Sequence, residues 1–347
     1  MFMKSGIIGY GAYIPRLRIK SSSIARVWSP DPEIEERLSA EKSVPNVDED
    51  CASMAVEASR QAILRAGIDP RDIEAVYVGS ESHPYAVKST SSIVGEAVGA
   101  TPNMMAADLE FACKAGTSAM QIASSHVLAG RMDYALAGGS DTAQGRPGDA
   151  LEYTAAAGAA MFVIGSKNLV ATIDDTFSFI TDTPDFWRRE TEEFPRHGGR
   201  FTGEPAYFKH IIGSTKGILE KTGTKMSDYD YVIFHQPNAK FPMAAAKYFG
   251  VEKEKILPGL LFPRIGNTYS AASILGLCNV LDTATPGSRI LLTSFGSGAG
   301  SDSLAMTVTD RIADARKTGP LVEQMISNKQ YIDYAIYAKY RGKIKGV

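Results

Sequence analysis

The sequence predicts an α/β fold built from two similar halves, and three observations lead to this prediction. Short apolar and β-branched runs alternate with helical patterns along the 347-residue chain. Many of the 32 glycines lie at the ends of these runs, where tight strand-to-helix turns need an unhindered backbone. The same order of strand and helix then recurs later in the chain. Strands that alternate with helices favour a largely parallel sheet covered on both faces.

The first half, placed at residues 1–166, begins with a strand and a turn. Its predicted elements are, in order, the strand IIGYGAYIP, the amphipathic helix DEDCASMAVEASRQAILRAG, the strand AVYVGSES, the small-residue helix ACKAGTSAMQIASSHVLAG and the strands DYALAGGSD and GAAMFVIG. Acidic residues at its start and Gly67 at its end set the limits of the first helix.

The second half, residues 167–347, repeats this order after an irregular, charged and aromatic stretch from about Asp174 to Gly203. Its predicted elements are the helix EPAYFKHIIGSTKGILEKTG, the strand YVIFHQPN, the small-residue helix NTYSAASILGLCNVLD and a strand that covers RILLTSFGSGAGSDSLAM. This recurrence indicates a gene duplication about a pseudo-twofold axis.

Aligning the two halves pairs polar residues at strand ends and helix starts. Glu81 falls near the equivalent of His235, and Cys113 falls near the equivalent of Asn267. The separation is 32 residues in both halves, from 81 to 113 and from 235 to 267. Ligands of α/β proteins bind at the carboxyl ends of strands, so the four side chains are expected to converge on one cavity.

Composition excludes several classes of partner and location. The formal net charge is −2, which provides no electrostatic footprint for nucleic acid or an anionic membrane. Three widely spaced cysteines fit a reducing compartment better than a disulfide framework. The amino terminus lacks a signal-peptide pattern, and no apolar run approaches the ~20 residues of a membrane span. We therefore expect a cytoplasmic protein that binds neither nucleic acid nor membrane.

Cys113 is the candidate nucleophile. It precedes a polar, glycine-containing helix start, where unpaired N–H groups and the helix dipole are expected to stabilise a thiolate. Cys51 and Cys278 fall on apolar faces of predicted helices, as buried structural cysteines do.

His235 and Glu81 are the candidate acid–base groups. His235 ends an apolar strand and is followed by a turn, so its imidazole is expected to lower the thiol pKa and to transfer protons. Glu81 directly follows a buried strand, and an exposed loop position is an equal alternative for it. If it faces the cavity, burial raises its pKa and makes it a usable base.

Other motifs do not support a cofactor or a metal. The segment Gly9–Ile14 has the first two glycines of a dinucleotide fingerprint but lacks the third, and Pro15 obstructs the helix that should follow. The segment Gly296–Gly300 lacks the Gly-Lys-Ser/Thr of a phosphate loop. Because no serine-hydrolase elbow, HExxH helix or paired CxxC is present, we expect no metal and no cofactor.

Four segments together resemble the hydroxymethylglutaryl-CoA synthase family of the thiolase superfamily, especially its short archaeal branch. They are FACKAGT around Cys113, GSES around Glu81, FHQPNAK around His235 and GNTYSAAS around Asn267. The likeness covers nearly the whole chain, including Asp185-Phe186-Trp187, Arg200-Phe201-Thr202 and the Ser294–Gly298 strand end. It implies a thiolase-like five-layer αβαβα fold of two duplicated halves, which usually forms homodimers.

The resemblance implies a condensation of acetyl-CoA with acetoacetyl-CoA through an acetyl-cysteine, in the mevalonate route to isoprenoids. Cys113 would accept the acetyl group, Glu81 would be the acid–base, and His235 would polarise the acetoacetyl carbonyl. Further roles are implied for six residues: substrate binding for Asn267, Ser297, Thr154 and Thr202, and CoA binding for Arg200 and Lys240. CoA thioesters would then be substrates.

The sequence also departs from the family. Lys114-Ala115 replaces more familiar residues after the cysteine, and the loop Val27–Asp31 matches the eukaryotic substrate loop poorly. Archaeal members of the family are often associated with an acetoacetyl-CoA thiolase and a small OB-fold protein, so the resemblance implies a similar complex.

Two alternatives stay open at this stage. The first is another condensing enzyme of the superfamily; Glu81 disfavours a type III ketoacyl synthase, and the mid-helix position of Cys278 disfavours a thiolase. The second is a CoA-binding scaffold without turnover.

Overall fold

The computed structural model describes residues 4–28 and 40–344. Ser29–Asp31 of the substrate-loop comparison lie outside this part of the chain. The strands are β1 (Ser5–Tyr13), β2 (Leu17–Lys20), β3 (Glu41–Val44), β4 (Ala75–Gly79), β5 (Met105–Leu109), β6 (Tyr134–Thr142), β7 (Ala157–Gly165), β8 (Ala171–Ile180), β9 (Phe186–Trp187), β10 (Arg196–His197), β11 (Tyr231–Phe234), β12 (Arg289–Thr293), β13 (Gly300–Val308) and β14 (Gln330–Tyr331).

The helices alternate with these strands. They are α1 (Ser21–Trp28), α2 (Cys51–Ala66), α3 (Thr90–Val98), α4 (Ala115–Leu128), α5 (Ala150–Thr154), α6 (Phe208–Thr222), α7 (Lys240–Phe249), α8 (Lys253–Ile256), α9 (Phe262–Ile265), α10 (Ala272–Leu281), α11 (Ile312–Ala315), α12 (Val322–Ser327) and α13 (Tyr334–Tyr340). Within the described ranges, no helix is long and apolar enough to cross a membrane.

The central sheet shows the duplication in its strand order. Nine strands run in the order β11-β12-β13-β8-β1-β7-β6-β4-β5. The antiparallel pair of β1 and β8 lies where the two half-sheets join. On either side of it, β7, β6 and β4 correspond in order to β13, β12 and β11, and β5 extends the first half alone. The α/β fold with two duplicated halves is therefore confirmed.

Three hydrophobic clusters divide the molecule into layers. One lies between the β4–β6–β7 face and α2. A central cluster joins α4 and α10 to both half-sheets. The third lies between the β11–β12–β13 face and the helices α6 and α7. The predicted five layers are therefore present. In order they are the outer helix α2, the first half-sheet, the central helices α4 and α10, the second half-sheet, and the outer helices α6 and α7.

Three details differ from the prediction. The sheet is mixed, because only β4, β5 and β6 in one half and β11 and β12 in the other pair in parallel. The predicted last strand is two antiparallel strands, β12 and β13, which a glycine-rich loop separates. The stretch from about Asp174, which was expected to be irregular, begins within strand β8. Many side chains of this strand are partly exposed, so its sequence lacks the apolar run that predicts a buried strand.

The central helices start in the same unusual way. Ala112 and Tyr269 have φ values of +44° and +51°, and each opens a single 3₁₀ turn that leads into α4 or α10. By this criterion, Cys113 corresponds to Ser270. The equal spacing had matched Cys113 with Asn267, three residues earlier. The two helix starts touch because Gly116 has no side chain: an added Cβ would lie 2.7 Å from the Ser270 carbonyl oxygen.

Candidate active site

Cys113 lies buried in the turn that leads into α4. The positive φ of Ala112 turns the chain sharply from Phe111 into this 3₁₀ turn. The cysteine side chain packs in a small cluster with Ala155 and Tyr269, beside the partly buried Phe186. Residues from both halves therefore enclose the candidate nucleophile.

Glu81 follows β4, and Asp141 holds its backbone. Asp141 Oδ1 accepts hydrogen bonds from the Glu81 N–H at 2.9 Å and from the Ser80 and Ser82 hydroxyls at 2.7 and 2.6 Å. Burial raises the pKa of the Glu81 carboxyl well above its usual range, and the nearby charge of Asp141 raises it further. Glu81 therefore lies at the wall of a cavity and not in an exposed loop.

The Cys113 thiol is held in its neutral form, which corrects the expectation of a stabilised thiolate. Burial raises the pKa of this thiol well above its ordinary value, and the charges of Glu81, Asp141 and Asp185 add to the rise. These effects outweigh the helix start. Since Glu81 contributes to this rise, its carboxylate and the thiol share one electrostatic environment.

His235 caps β11 and is almost completely buried. The backbone N–H of His235 donates a hydrogen bond to the Thr293 carbonyl at 2.9 Å, and its backbone carbonyl accepts one from the Tyr207 hydroxyl at 2.6 Å. Burial lowers the pKa of the imidazole to about 3, so the ring is neutral near pH 7. Its Nδ1 atom is buried and has no hydrogen-bond partner among the described residues. An orphaned buried ring nitrogen of this kind is available to a ligand.

His235 meets the cysteine turn through an aromatic neighbour. The imidazole lies 6.2 Å from the Phe295 ring, centroid to centroid. Phe295 precedes Gly296, and an added Cβ on Gly296 would collide with the Phe111 carbonyl and lie 2.8 Å from Lys114 Cγ. The loop that follows Phe295 therefore packs directly on the turn that carries Cys113.

Asn267 and Thr154 are joined at the other side of the cysteine. The Asn267 N–H donates to the Thr154 carbonyl at 2.8 Å, and its carbonyl accepts from the Ala156 N–H at 2.9 Å. Its Oδ1 accepts from the Tyr269 N–H at 2.9 Å. Among residues 4–28 and 40–344, the Asn267 side-chain NH2 group makes no hydrogen bond of its own, so it is able to donate to a ligand. Both residues adjoin Ala155, which contacts the cysteine cluster.

Ser297 lies at the tip of the loop between β12 and β13. Gly296 and Gly300 exchange backbone hydrogen bonds of 2.8 Å across the base of this loop. Asp185 accepts a hydrogen bond from the Gly298 N–H at 2.8 Å. Burial raises the pKa of the Asp185 carboxyl, and the hydrogen bonds from the Gly298 N–H and the Ser297 side chain partly offset this rise. The loop is thus fastened at its base and at its tip.

The remaining predicted residues lie farther out. Thr202 is in an irregular helical turn before α6, and its hydroxyl is buried without a partner among the described residues. Arg200 and Lys240 are exposed, and neither forms an ion pair within the described part of the chain. Of the predicted set, Arg200 and Lys240 are therefore the ones that the structure leaves on the surface.

A cavity of about 460 Å³ opens beside Glu81. Its wall carries Phe111 and Ala112 of the cysteine turn together with Phe186, Trp187 and Arg188. The cavity thus reaches the carboxylate and the turn of the nucleophile from solvent.

Two carboxylates in this site were missed from the sequence. Asp141 and Asp185 are both completely buried, and both act on the thiol pKa. Asp141 is the next-to-last residue of β6, which is parallel to β4, so the strand-end argument used for Glu81 also applied to it. The described residues contain no group of three or more His, Cys, Asp or Glu side chains arranged to hold a metal ion. A thiol, a carboxylate of raised pKa and a neutral imidazole are suited to acyl transfer and proton abstraction next to a carbonyl.

Comparisons with known proteins agree with this architecture. The family profile "Thiolase, N-terminal domain" matches residues 44–156, and the profile "3-Oxoacyl-[acyl-carrier-protein (ACP)] synthase III C terminal" matches residues 219–308. A structure of MvaS in complex with 3-hydroxy-3-methylglutaryl coenzyme A has a TM-score of 0.89 at 21% identity, covering 99% of this chain and 93% of that one. An HMG-CoA synthase complexed with CoA has a TM-score of 0.87 at 22% identity, covering 97% of this chain and 90% of that one. At such identities the likeness shows the thiolase-type fold.

Curated relatives are much more similar in sequence. The hydroxymethylglutaryl-CoA synthase of Methanocaldococcus jannaschii is 60% identical, covering 98% of this chain and 99% of the relative. The enzyme of the same name from Methanosarcina barkeri is 58% identical, covering 99% of both chains. The chain therefore belongs to the hydroxymethylglutaryl-CoA synthase family.

Proposed function

We propose that the protein condenses acetyl-CoA, acetoacetyl-CoA and water to (3S)-3-hydroxy-3-methylglutaryl-CoA and CoA. The observation that carries this proposal is the shared buried environment of the Cys113 thiol and the Glu81 carboxylate, whose charge raises the thiol pKa. Family membership provides the substrates. The reaction supplies hydroxymethylglutaryl-CoA to the mevalonate pathway.

Acetyl transfer is the first step. The Cys113 sulfur attacks the thioester carbonyl of acetyl-CoA, and its proton passes to the neutral His235 ring or to water. When the carbon–sulfur bond of acetyl-CoA breaks, the same group returns this proton to the departing sulfur, and CoA leaves as the thiol. Backbone N–H groups near Ser297 and at the cysteine turn would stabilise the oxyanion. Donors of this kind typically contribute about 10²- to 10³-fold to the rate. The neutral thiol limits wasteful side reactions until substrate arrives.

Carbon–carbon bond formation follows on the acetylated enzyme. Glu81 removes a proton from the acetyl methyl group, and the resulting enolate attacks the ketone carbon of acetoacetyl-CoA. His235 donates a hydrogen bond to the ketone oxygen and a proton to the new alkoxide, and the proton that Glu81 took from the methyl group returns through solvent to restore the neutral ring. The Asn267 amide orients the acyl chain. Water then hydrolyses the thioester to Cys113, which restores the thiol and releases the product. The thioesters supply the electrophile and the acidic methyl group, so the mechanism needs no cofactor.

Substrate recognition extends beyond the reacting atoms. Thr154 adjoins Asn267, and the buried Thr202 hydroxyl, which has no partner in the described part of the chain, is available to the acyl group. Arg200 and Lys240 are exposed and form no ion pair with the residues that the structure describes, so both can bind CoA phosphates. We assign these four residues to substrate binding, with the first two at the acyl group.

Assembly and location form part of the same proposal. β5 ends the sheet with exposed Met105 and Ala106, which leaves an open edge suited to pairing in a homodimer. Trp187 is 41% exposed at the cavity wall and is available to a thiolase or a small OB-fold protein. Three free cysteines fit the reducing cytoplasm. Light scattering of the lone chain, and then of the mixture with both partners, tests these assemblies.

Mass spectrometry after incubation with acetyl-CoA tests the function directly. We expect one acetyl adduct on Cys113, absent in Cys113→Ala but present in Cys51→Ala. We also expect sustained CoA release, beyond that of the acetylation step, to depend on both acyl-CoA substrates. An adduct on another residue, or no adduct at all, would contradict the proposal.

A further inference from the structure

The residue after the nucleophile is a buried lysine that the mechanism does not use. The Lys114 Nζ atom lies 3.0 and 3.2 Å from the two carboxylate oxygens of Asp302 and 2.7 Å from the Ser118 hydroxyl. It also lies 4.2 Å from the centroid of the Phe111 ring. The two charged side chains are only 4% and 1% exposed. A charge buried to this degree needs a fixed partner, and Asp302 is that partner.

Asp302 collects further donors from around the cysteine turn. Its Oδ2 accepts from the Thr117 and Ser118 hydroxyls at 3.0 and 2.9 Å, and its Oδ1 accepts from the Ser178 hydroxyl at 2.7 Å. Thr117 and Ser118 lie in the first turn of α4. The carboxylate is therefore saturated with hydrogen bonds, which makes the network rigid.

The ion pair joins the two segments that acyl transfer must hold together. Lys114 belongs to the cysteine turn, and Asp302 lies two residues beyond Gly300, where the loop that carries Ser297 closes. The lysine stem also fills the space beneath that loop: an added Cβ on Gly296 would lie 2.8 Å from Lys114 Cγ, and one on Gly300 would lie 2.9 Å from Lys114 Cε. The ion pair and these contacts therefore tie the cysteine turn to the loop that carries Ser297.

We propose that Lys114 is a positioning residue, which through Asp302 fixes the Cys113 sulfur relative to the backbone N–H groups of the Ser297 loop. This inference rests on the proposed acetyl transfer. A nucleophile and its oxyanion donors must be aligned at the moment of reaction, and a misplacement of about 1 Å costs on the order of 10²-fold in rate. Alkylation of a thiol by iodoacetamide forms no oxyanion and needs no such alignment.

This difference in chemistry gives the test. In the double variant Lys114→Met/Asp302→Asn both charges are removed, so no unpaired charge stays buried. We expect wild-type rates and pH dependence of Cys113 alkylation by iodoacetamide, followed by peptide mass spectrometry. We expect single-turnover acetylation by acetyl-CoA to fall about 10²-fold in its limiting rate, with the half-saturating acetyl-CoA concentration unchanged. The control is Lys221→Met/Asp175→Asn, which removes an exposed pair of 2.7 Å and should leave both rates unchanged.

The conservative variant Lys114→Arg covers the case in which the double variant does not fold. It keeps a positive charge beside Asp302 but changes the shape of the side chain, and it should show a smaller fall, about tenfold, in acetylation alone. Acetylation at the wild-type rate in a folded variant would overturn the proposal. Equal falls in alkylation and acetylation would also overturn it, because the thiol itself would then be affected. Failure of the wild-type protein to become acetylated would instead refute the proposed function, and the positioning role with it.

Discussion

Asp141 accepts a hydrogen bond from the Ser270 N–H at 2.8 Å through Oδ2, while its Oδ1 holds the turn of Glu81. One buried carboxylate therefore fastens the candidate base in the first half to the start of α10 in the second. The Ser270 backbone also packs directly against Gly116 of α4. The Asp141 carboxylate therefore lies where the two central helices, α4 and α10, meet. The candidate site is thus assembled at the junction of the halves.

Replacing Asp141 by Asn should affect stability and pH dependence together. The new amide group would face the Ser270 N–H, and we expect a loss of about 2–3 kcal/mol in the free energy of unfolding. The negative charge that raises the Glu81 pKa also disappears. The acid limb of the kcat/KM profile should therefore move to lower pH, since Glu81 stays ionised there. Denaturation and steady-state assays measure both effects, with the exposed Asp174→Asn as the control. An unmoved acid limb would refute the electrostatic coupling.

Glu81→Gln should separate the two chemical steps. The amide cannot remove a proton from the acetyl methyl group, so condensation should fall about 10²- to 10⁴-fold. Acetylation of Cys113 needs no carbon acid and should persist. Product formation and the acetyl adduct are measured in parallel, and Glu110→Gln, at the same cavity wall, should retain both steps. Equal loss of acetylation would place Glu81 in acyl transfer and favour another condensing mechanism.

His235 should give the protein a measurable acid sensitivity. Its folded pKa of about 3 lies below the ordinary value of 6.5, so below pH 6.5 the unfolded chain binds a proton that the folded chain cannot. Stability is therefore lost as the pH falls from 6.5 towards 3. Between pH 7 and pH 5 this group alone should cost about 2 kcal/mol. Urea denaturation at both pH values should show a difference smaller by that amount in His235→Gln, and an identical difference would contradict a buried neutral ring.

Sequence patterns predicted the residues at strand ends better than they predicted distances between elements. Glu81 and His235 were predicted because each follows a short apolar run, and Cys113 was predicted because a glycine-containing helix start follows it. The equal spacing matched Cys113 with Asn267, whereas the helix starts match it with Ser270, three residues later. Single 3₁₀ turns at Ala112 and Tyr269 set the true correspondence, and a positive φ at a residue other than glycine leaves no sequence signal.

Long-range packing explains the other differences. β12 and β13 look like one strand because apolar residues run into the glycine loop. The loop is formed by the hydrogen bonds between Gly296 and Gly300 and by the bond from the Gly298 N–H to Asp185. Asp185 resembles an exposed loop residue, since nothing local shows that it will be buried and that its carboxylate will accept a hydrogen bond from the Gly298 N–H. The Lys114–Asp302 pair joins positions 188 residues apart and could not be predicted from either segment.

A second buried lysine pair allows burial to be compared directly with exposure. Lys343 lies 2.9 Å from Glu152 Oε1 with the side chains 3% and 0% exposed, whereas Lys317 lies 2.8 Å from Asp314 with the side chains 75% and 67% exposed. Lys343→Met would leave the Glu152 carboxylate without this partner, and we expect a loss of about 3 kcal/mol in the free energy of unfolding. Lys317→Met should cost less than about 1 kcal/mol, because water solvates both of its charges. Lys343 also donates to the Gly145 carbonyl at 2.7 Å, next to Gln144 of the cavity wall, so the loss should be accompanied by a higher KM. Equal effects of the two substitutions on denaturation midpoints would show that the carboxyl-terminal segment does not stabilise this wall.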